Sequence, residues 1–531
     1  SKVSSPMKRL VLLVPFAVAC AAAPPPRAAS PEPPGTASEG TSPPTAREPA
    51  ARKPVAPAAV PPPPAECAAL VQHSTSECLL KGGDTRAGLV LALAPNRAVA
   101  ERDRSIACLE DRGGYPEGLL RALRAELAPV ACADAIVAPV LEKPKTKLAL
   151  EIENALLGLA LSARLARLLG EPPRLEAPFS KERFLAFQKD ELGPWIVAQA
   201  LAIDQLSLQG SRLTGYGRGV AAIAAGNADL RFVEMARGIP LPDELRADKE
   251  LTDVYYGSLD QALEPRKLRG RDAALVGLRA FAELGALHDQ RVAEARTLLS
   301  KLWSGSRVDA LDELIVPPLA APEFSREAEL AAGLPSFYAS YVLAGEDASK
   351  PALLRAFLER GVPKALAASL DPKKLSPESR ALLARLSIDY GRVYFRASDF
   401  RRAREALAVG KLDDGGRLLA ALAQALERGP EDTAALMLKG PSVKGSFDVS
   451  LLDAIAKQNG PFAGAAAYDA AAILALVPRP NDATFWDDLA LRFANAEKLL
   501  SQKKAPAEER ERAKKYAEGA RATARALRES R

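Results

Sequence analysis

The sequence predicts an all-α fold, and three observations support this prediction. Ala, Leu, Arg and Glu dominate the chain after its first 65 residues, and all four favour helices. Runs of Val, Ile and Thr with two-residue alternation are nearly absent, which argues against a sheet. From about residue 145, apolar residues recur at helical spacing between short Gly and Pro breaks, which is the pattern of successive amphipathic helices.

The first 20 residues have the layout of an export signal. Residues 7–9 are Met-Lys-Arg, residues 10–18 form a short apolar core, and small residues lead into Cys20. This layout resembles a bacterial lipoprotein signal, which implies that Cys20 is lipidated and becomes the mature N-terminus. The apolar core is too short to span a bilayer, which takes about 20 apolar residues. Ala17 stands where such signals usually carry Leu, so an ordinary secretory signal or an uncleaved anchor is an alternative.

Residues 21–65 are expected to form a disordered linker rich in Pro and Ala. They contain 15 of the 43 prolines and no aromatic residue, Leu or Ile. Such a segment cannot bury enough apolar surface to offset its chain entropy. It would serve as a spacer between a lipid anchor and a folded body. Because no Asp follows Cys20, the resemblance to lipoproteins implies the outer membrane, with the protein facing the periplasm.

Residues 66–140 are expected to form a small helical module stapled by disulfides. Besides Cys20, all cysteines of the chain lie there, at Cys67, Cys78, Cys108 and Cys132. An even, clustered set in an exported protein indicates two disulfides, and three pairings are possible. Pairs 67–78 and 108–132 are favoured, because short loops close most readily. A zinc site is the alternative, but it would lack a Cys-x2-Cys pair and has only His73 nearby.

The remaining body, residues 141–531, shows three clear helices. The first covers 147–169, between a capping Thr146 and Gly170, and the second covers 377–395 after the N-cap Ser376. The third begins at residues 481–482, and further breaks are expected near Pro265 and other Gly and Pro residues. The expected buried stripes are Ile152, Leu156, Leu159 and Ala163; Leu383, Leu386, Tyr390 and Val393; and Phe485, Leu489, Phe493, Ala496 and Leu500.

One segment of the body, residues 390–407, resembles a tetratricopeptide repeat. Gly391 and Tyr394 match the close-packing glycine and the aromatic residue of the repeat's first helix, and Asp399-Phe400 and Ala403 match its turn and the small residue of its second helix. A weaker echo covers residues 219–235. The resemblance implies that residues 141–531 form a right-handed α-solenoid of degenerate helix hairpins. No strict period extends over the body, so ordinary helical bundle domains are the alternative.

The sequence offers little evidence of catalysis. There are two histidines, and neither a His-Glu-x-x-His zinc motif nor a Gly-x-Ser-x-Gly nucleophile motif occurs. Residues 440–446 and the glycine cluster 215–219 lack the context of a phosphate or dinucleotide loop. We therefore predict no catalytic residues, no metal and no cofactor. The net charge of +6 is small for 531 residues and does not indicate a nucleic-acid partner.

Two basic segments are candidates for binding. Residues 264–272 are expected to form a basic loop between helices, close to two tyrosines. Its candidate binding residues, which suit an anionic glycan or a peptide carboxylate, are Tyr255, Tyr256, Arg266, Lys267, Arg269 and Arg271. The alternative is a solvated connector paired with Glu264 and Asp272. The C-terminal segment 503–531 carries ten Lys and Arg against five Glu, and it either docks on an acidic surface or caps the array.

These features together predict a lipid-anchored scaffold of the cell envelope that is not an enzyme. It would contact the membrane through its lipid anchor only and would bind an unidentified envelope protein or peptide on a helical-repeat surface. By resemblance, such lipoproteins act in machine assembly, envelope biogenesis or activation of wall enzymes. A protein that acts on peptidoglycan or another glycan through carboxylates, or one that binds a small ligand, is the alternative.

Overall fold

A computed structural model describes residues 59–71, 84–94, 97–286, 289–303, 310–318, 330, 334–360, 369–394, 396–427, 447–476 and 481–530. The expected signal with Cys20, most of the linker, Cys78, both histidines and residues 440–446 lie outside these ranges. Helices are the regular elements of the described residues, and no strand occurs among them, so the all-α prediction is confirmed there. None of the described helices is long and apolar enough for a bilayer span.

The helices follow one another with short connections. The N-terminal half contains α1 (Ala68–Val71), α2 (Thr85–Leu93), α3 (Val99–Arg112), α4 (Leu119–Leu127), α5 (Ala133–Glu142), α6 (Leu150–Leu169), α7 (Lys181–Ala186), α8 (Gly193–Gly210), α9 (Gly215–Arg237), α10 (Asp243–Arg246), α11 (Lys249–Leu284) and α12 (Gln290–Leu302). Six residues in π-helical conformation, Phe187–Leu192, join α7 to α8.

The C-terminal half continues in the same way. It contains α13 (Ser336–Val342), α14 (Pro351–Arg360), α15 (Pro377–Tyr394), α16 (Ala397–Leu407), α17 (Asp414–Glu427), α18 (Ser450–Lys457), α19 (Ala463–Ala475), α20 (Ala483–Gln502) and α21 (Ala507–Glu529). Short 3-10 turns cover Ala65–Cys67, Val130–Cys132, Ala310–Glu313 and Pro372–Lys374.

Most helices pack on their neighbours in sequence. Thus α5 packs on α6, α15 on α16, and α19, α20 and α21 on one another in order. One continuous hydrophobic core extends from Cys67 in the N-terminal segment to Leu476 after α19, and it does not divide near residue 140. A second core joins α19, α20 and α21, where the C-terminal helix buries a stripe of four alanines, Ala513, Ala517, Ala520 and Ala524.

Some ends of the three helices predicted in the body lie where the sequence places them, and others do not. Asp482 caps α20 through its carboxylate, and Ser376 accepts a hydrogen bond from the Ser379 N–H at 3.1 Å, as predicted. Thr146 does not cap α6, because its hydroxyl donates to Glu117 at 2.6 Å and holds the chain in a loop. That hydrogen bond, with two from backbone N–H groups, lowers the pKa of Glu117. The helix therefore begins at Leu150, and Gly170 ends it with φ +55°.

The predicted stripes of all three helices lie inward where their side chains are described. The first stripe is at most 4% exposed, and Leu383, Leu386 and Tyr390 of the second are at most 2% exposed. In the third, Leu489, Phe493, Ala496 and Leu500 are buried, while Phe485 is half-buried. The side chain of Val393 lies outside the described residues.

Helices α15 and α16 form the hairpin that the repeat resemblance implies. A Cβ atom added at Gly391 would lie 2.5 Å from the ring of Phe400, so this glycine allows the ring to pack directly on α15. Phe400 and Ala403 are buried in the same core. The predicted turn is wrong: Asp399 and Phe400 lie inside α16, which begins at Ala397. The side chain of Tyr394 lies outside the described residues.

The weaker repeat echo at residues 219–235 is wrong as a hairpin, because all of it lies in the single helix α9. The glycines of this helix instead allow two close crossings. A Cβ added at Gly217 would lie 1.8 Å from the Asn154 carbonyl oxygen of α6, and one added at Gly226 would lie 2.6 Å from the Ala274 nitrogen of α11. The glycine cluster 215–219 thus serves helix packing.

The favoured disulfide pairing is also wrong. Cys67 bonds to Cys132, 65 residues away, and Cys108 is also disulfide-bonded. The folded chain brings the turns that hold Cys67 and Cys132 together beside α6 and α5. The entropic cost of closing a loop rises by only about 0.6 kcal/mol for each doubling of its length. This tertiary contact therefore outweighs the preference for short loops.

Candidate functional site

The expected basic loop is wrong, because residues 264–272 lie in the middle of the 36-residue helix α11. Pro265 lacks the N–H that would continue the helical hydrogen bonds, yet the helix does not break there. The flanking residues Leu263 and Arg266 are 1% and 5% exposed, and the packing of α11 along α9 keeps both sides helical.

The cations of this segment are engaged within the fold. Arg266 donates through Nε to Asp229 at 2.7 Å, and its guanidinium lies 3.8 Å above the ring of Phe232. Arg269 donates to the same Asp229 at 2.6 Å and to Asp204 at 2.8 Å. Two arginines of α11 are therefore neutralised by carboxylates on α9 and α8. Because Arg266 is buried, it cannot contact an anionic ligand at the protein surface.

The other four candidate residues do not converge with them on one basic surface. The Lys267 ammonium lies 4.5 Å above the ring of Trp303, and Arg271 pairs with its neighbour Asp272 at 2.8 Å. Tyr255 packs edge-on against Phe184 and Tyr256. Burial raises the pKa of Tyr255 to about 12. These contacts describe a packed helix face.

The strongest candidate site is a groove between α6, α8, α9 and α12, with a volume of about 450 Å³. This central groove is lined along α9 by residues 223–235 and closed at its sides by the last turns of α6, the start of α8 and the first turns of α12. Its rim includes the exposed residues Val130, Glu171 and Arg231, so the groove opens to solvent. The volume lies within the range of about 300–1,000 Å³ that is usual for ligand sites.

An aromatic pair forms one wall of the central groove. Trp195 at the start of α8 stacks on Phe232 of α9, with ring centroids 5.8 Å apart and planes at 29°. Arg266 covers Phe232 at 3.8 Å, and its charge is balanced by Asp229. The partly buried Met235 continues the wall. Arg266, which the sequence suggested as a binding residue, thus supports the wall from α11.

Uncharged polar groups of Trp195, Gln199 and Asn227 interrupt the apolar lining. The Trp195 indole N–H and the Gln199 amide both donate to the Leu169 carbonyl oxygen, at 3.1 and 3.0 Å. They satisfy a carbonyl that the end of α6 leaves without a helical partner. Asn227 of α9 also lines the groove and is 7% exposed, but its Oδ1 atom is buried without a hydrogen-bond donor.

The charges of the central groove are balanced in pairs. Arg231 forms an ion pair with Glu294 of α12. Arg291 donates to Asp289 at 2.6 Å and to the Tyr216 hydroxyl at 2.7 Å, and it also pairs with Glu126 of α4. The Tyr216 hydroxyl in turn donates to Glu126 at 2.8 Å. Burial raises the pKa of Glu126, although Arg291 opposes this effect.

This arrangement suits binding more than catalysis. The groove presents apolar surface and an amide, and its carboxylates are engaged with arginines or stand on the exposed rim. Among the residues that the structure describes, no group of three or more His, Cys, Asp or Glu side chains could hold a metal ion. Comparison with known protein families, curated proteins and solved structures gives no match for this chain.

Reasoning from sequence missed the central groove. Its residues come from four helices, of which α12 is distant in the chain from the other three, and each helix contributes positions that also fit an ordinary core stripe. The one usable signal in the sequence is Trp195, a large aromatic residue in an apolar stretch. The unpartnered Asn227 within the glycine-containing helix α9 carries no sequence signature of its own.

Proposed function

We propose that this protein is a lipid-anchored scaffold of the cell envelope that binds a protein or peptide partner in its helical body. The central groove carries the proposal, because it combines an aromatic wall, balanced charges and the buried Asn227 amide oxygen, which lacks a donor, in an opening to solvent. Sites of this composition hold ligands by apolar contact and a few hydrogen bonds. A scaffold requires no catalytic group.

The anchor and the location are the part of the proposal that depends on the first 65 residues. Lipidation of Cys20 would attach the chain to the outer membrane, and residues 21–65 would let the body reach into the periplasm. The presence of disulfides at Cys67 and Cys108 is consistent with an oxidising compartment.

The shape of the body is a further part of the proposal. Serial packing of neighbouring helices and the α15–α16 hairpin support a right-handed α-solenoid of degenerate tetratricopeptide-like hairpins. In such an array each unit buries its apolar face against the next, and the surfaces left between units are suited to peptides and protein partners.

A small-ligand-binding protein is the second candidate, and one observation favours it. A cavity of about 450 Å³ is large enough for a single small molecule with one apolar group. In that case purified protein would carry or take up the molecule without any protein partner.

Two measurements test the proposed function. Metabolic labelling with a clickable fatty acid should mark the wild-type chain and leave Cys20→Ala unmarked, and the variant should leave the membrane fraction. Chemical crosslinking of the anchored protein in its native envelope, followed by mass spectrometry, should give a reproducible complex. A lipidated protein that yields no crosslinked partner would contradict the scaffold and favour the small-ligand alternative.

A further inference from the structure

We propose that the central groove binds an extended, uncharged peptide segment that carries one large apolar side chain. This inference rests on the proposed function, in which the partner is a protein or peptide, and it names the part of that partner that is bound. Four features of the groove support it: its length, its apolar wall, its balanced charges and the Asn227 amide oxygen that lacks a donor.

The groove is elongated along α9. Its lining on α9 extends from Ile223 to Met235, which corresponds to about 18 Å at about 1.5 Å per helical residue. An extended chain rises about 3.3 Å per residue, so about five residues would fill this length. Because the groove is open to solvent at its rim, where Glu171 and Arg231 are exposed, a bound segment can continue out of it. A compact small molecule would fill only part of the groove.

The apolar wall selects a large side chain. Trp195 presents its ring to the groove and is backed by Phe232, which is 2% exposed, and Met235 adds a flexible thioether beside it. Thioethers adapt to the shape of an apolar partner, and aromatic faces contribute the largest area. One Leu, Phe or Trp side chain of the bound segment would pack there.

The charge balance selects an uncharged segment. Both arginines that line the groove already have carboxylate partners, Glu294 for Arg231, and Glu126 and Asp289 for Arg291. A charged side chain inside the groove would lose its hydration without gaining an unbalanced opposite charge, because the remaining lining carboxylate, Glu171, stands on the exposed rim. That loss is costly. A neutral peptide backbone avoids this cost.

Asn227 provides the hydrogen bond that fixes the segment. The Trp195 indole N–H and the Gln199 amide already donate to the Leu169 carbonyl. The Oδ1 atom of Asn227 has no donor, so its amide can rotate about χ2 toward a ligand without losing a hydrogen bond at that atom. A backbone N–H of the bound segment would then donate to it, which favours a peptide over a hydrocarbon.

The test uses full-length protein and fluorescent pentapeptides. Each peptide has an acetylated N-terminus and an amidated C-terminus, and the peptides differ only in their central residue. Fluorescence anisotropy should show binding with central Leu, Phe or Trp, and at least tenfold weaker binding with central Lys or Glu. Asn227→Leu should weaken binding by roughly five- to tenfold, the effect of one lost hydrogen bond. Ala224→Glu, which places a charge on the groove wall, should abolish it. Asn495→Leu is the matched control on the exposed face of α20 and should bind as the wild type does.

Two results would overturn this inference. The first is that no pentapeptide binds the wild type, and the second is that Asn227→Leu and Ala224→Glu bind like Asn495→Leu. If crosslinking in the envelope still identifies a partner, the proposed function stands and only the site is wrong. If no partner is found as well, both fail. Circular dichroism of each variant shows whether a loss of binding is a loss of folding.

Discussion

Replacement of Gly217 by Ala should destabilise this protein, although alanine normally stabilises a helix relative to glycine. Gly217 lies in the first turn of α9, where α9 crosses α6. An added Cβ would lie 1.8 Å from the Asn154 carbonyl oxygen, whereas ordinary contacts begin at 3.4 Å. The obstacle is backbone, which cannot turn aside as a side chain can. The two helices must therefore separate by about 1.6 Å at the crossing.

The loss in free energy of unfolding follows from the contacts that this separation of α6 and α9 would break. A gap of 0.5–1 Å already forfeits about a quarter to a half of each dispersion contact. The crossing holds the buried side chains of Leu156 and Val220 and the hydrogen bond from the Thr214 N–H to Asn154 Oδ1 at 2.9 Å. Overpacking alone costs about 1–3 kcal/mol, so with the lost bond we expect Gly217→Ala to lower the free energy of unfolding by about 3–5 kcal/mol.

Urea unfolding followed by circular dichroism at 222 nm measures this loss. Gly257→Ala is the matched control, because Gly257 is also helical, in α11, and an added Cβ meets nothing within 4 Å. Alanine should there stabilise the protein by up to about 1 kcal/mol through its helix propensity. If Gly217→Ala changes the unfolding midpoint by no more than Gly257→Ala does, the close crossing of α6 and α9 is refuted.

Three further predictions concern buried groups. Asp229→Asn should lower the free energy of unfolding by about 3–5 kcal/mol in urea melts, because it leaves the Arg266 charge buried without its carboxylate. Burial raises the pKa of Asp469 in the folded state well above its unfolded value, so stability is lost as pH rises through the folded pKa. Asp469→Asn should therefore melt at a higher temperature than the wild type at pH 8, with a difference that shrinks toward pH 4. Peptide mapping without reduction should show Cys67 joined to Cys132, and Cys67→Ser should cost about 2–4 kcal/mol.

Each of these predictions has an outcome that contradicts it. A loss below about 1 kcal/mol in Asp229→Asn would mean that the ion pair with Arg266 is not buried in solution. A melting temperature of Asp469→Asn that stays below the wild type at both pH values would refute an unfavourable buried carboxylate. A peptide that joins Cys67 to Cys78 would restore the pairing favoured by short loops.

The sequence by itself determined the local structure of this protein. Helical periodicity placed Ile152 and Leu383 in the core, and capping residues such as Asp482 marked helix ends, because these signals act within one or two turns. It also identified Gly391 as the close-packing glycine of the α15–α16 hairpin, although it assigned Phe400, the ring that packs there, to the turn. These properties depend on neighbours in the chain, so a linear pattern records them.

Tertiary structure alone decided which distant segments meet. It paired Cys67 with Cys132 and kept α11 helical through Pro265. It also turned Arg266 inward, against the ring of Phe232. It also assembled the central groove from four helices and left Asn227 there without a donor. A sequence pattern shows that a helix has an apolar face but not which other face will cover it. The burial of a charge, the pairing of a cysteine and the opening of a groove all depend on that choice.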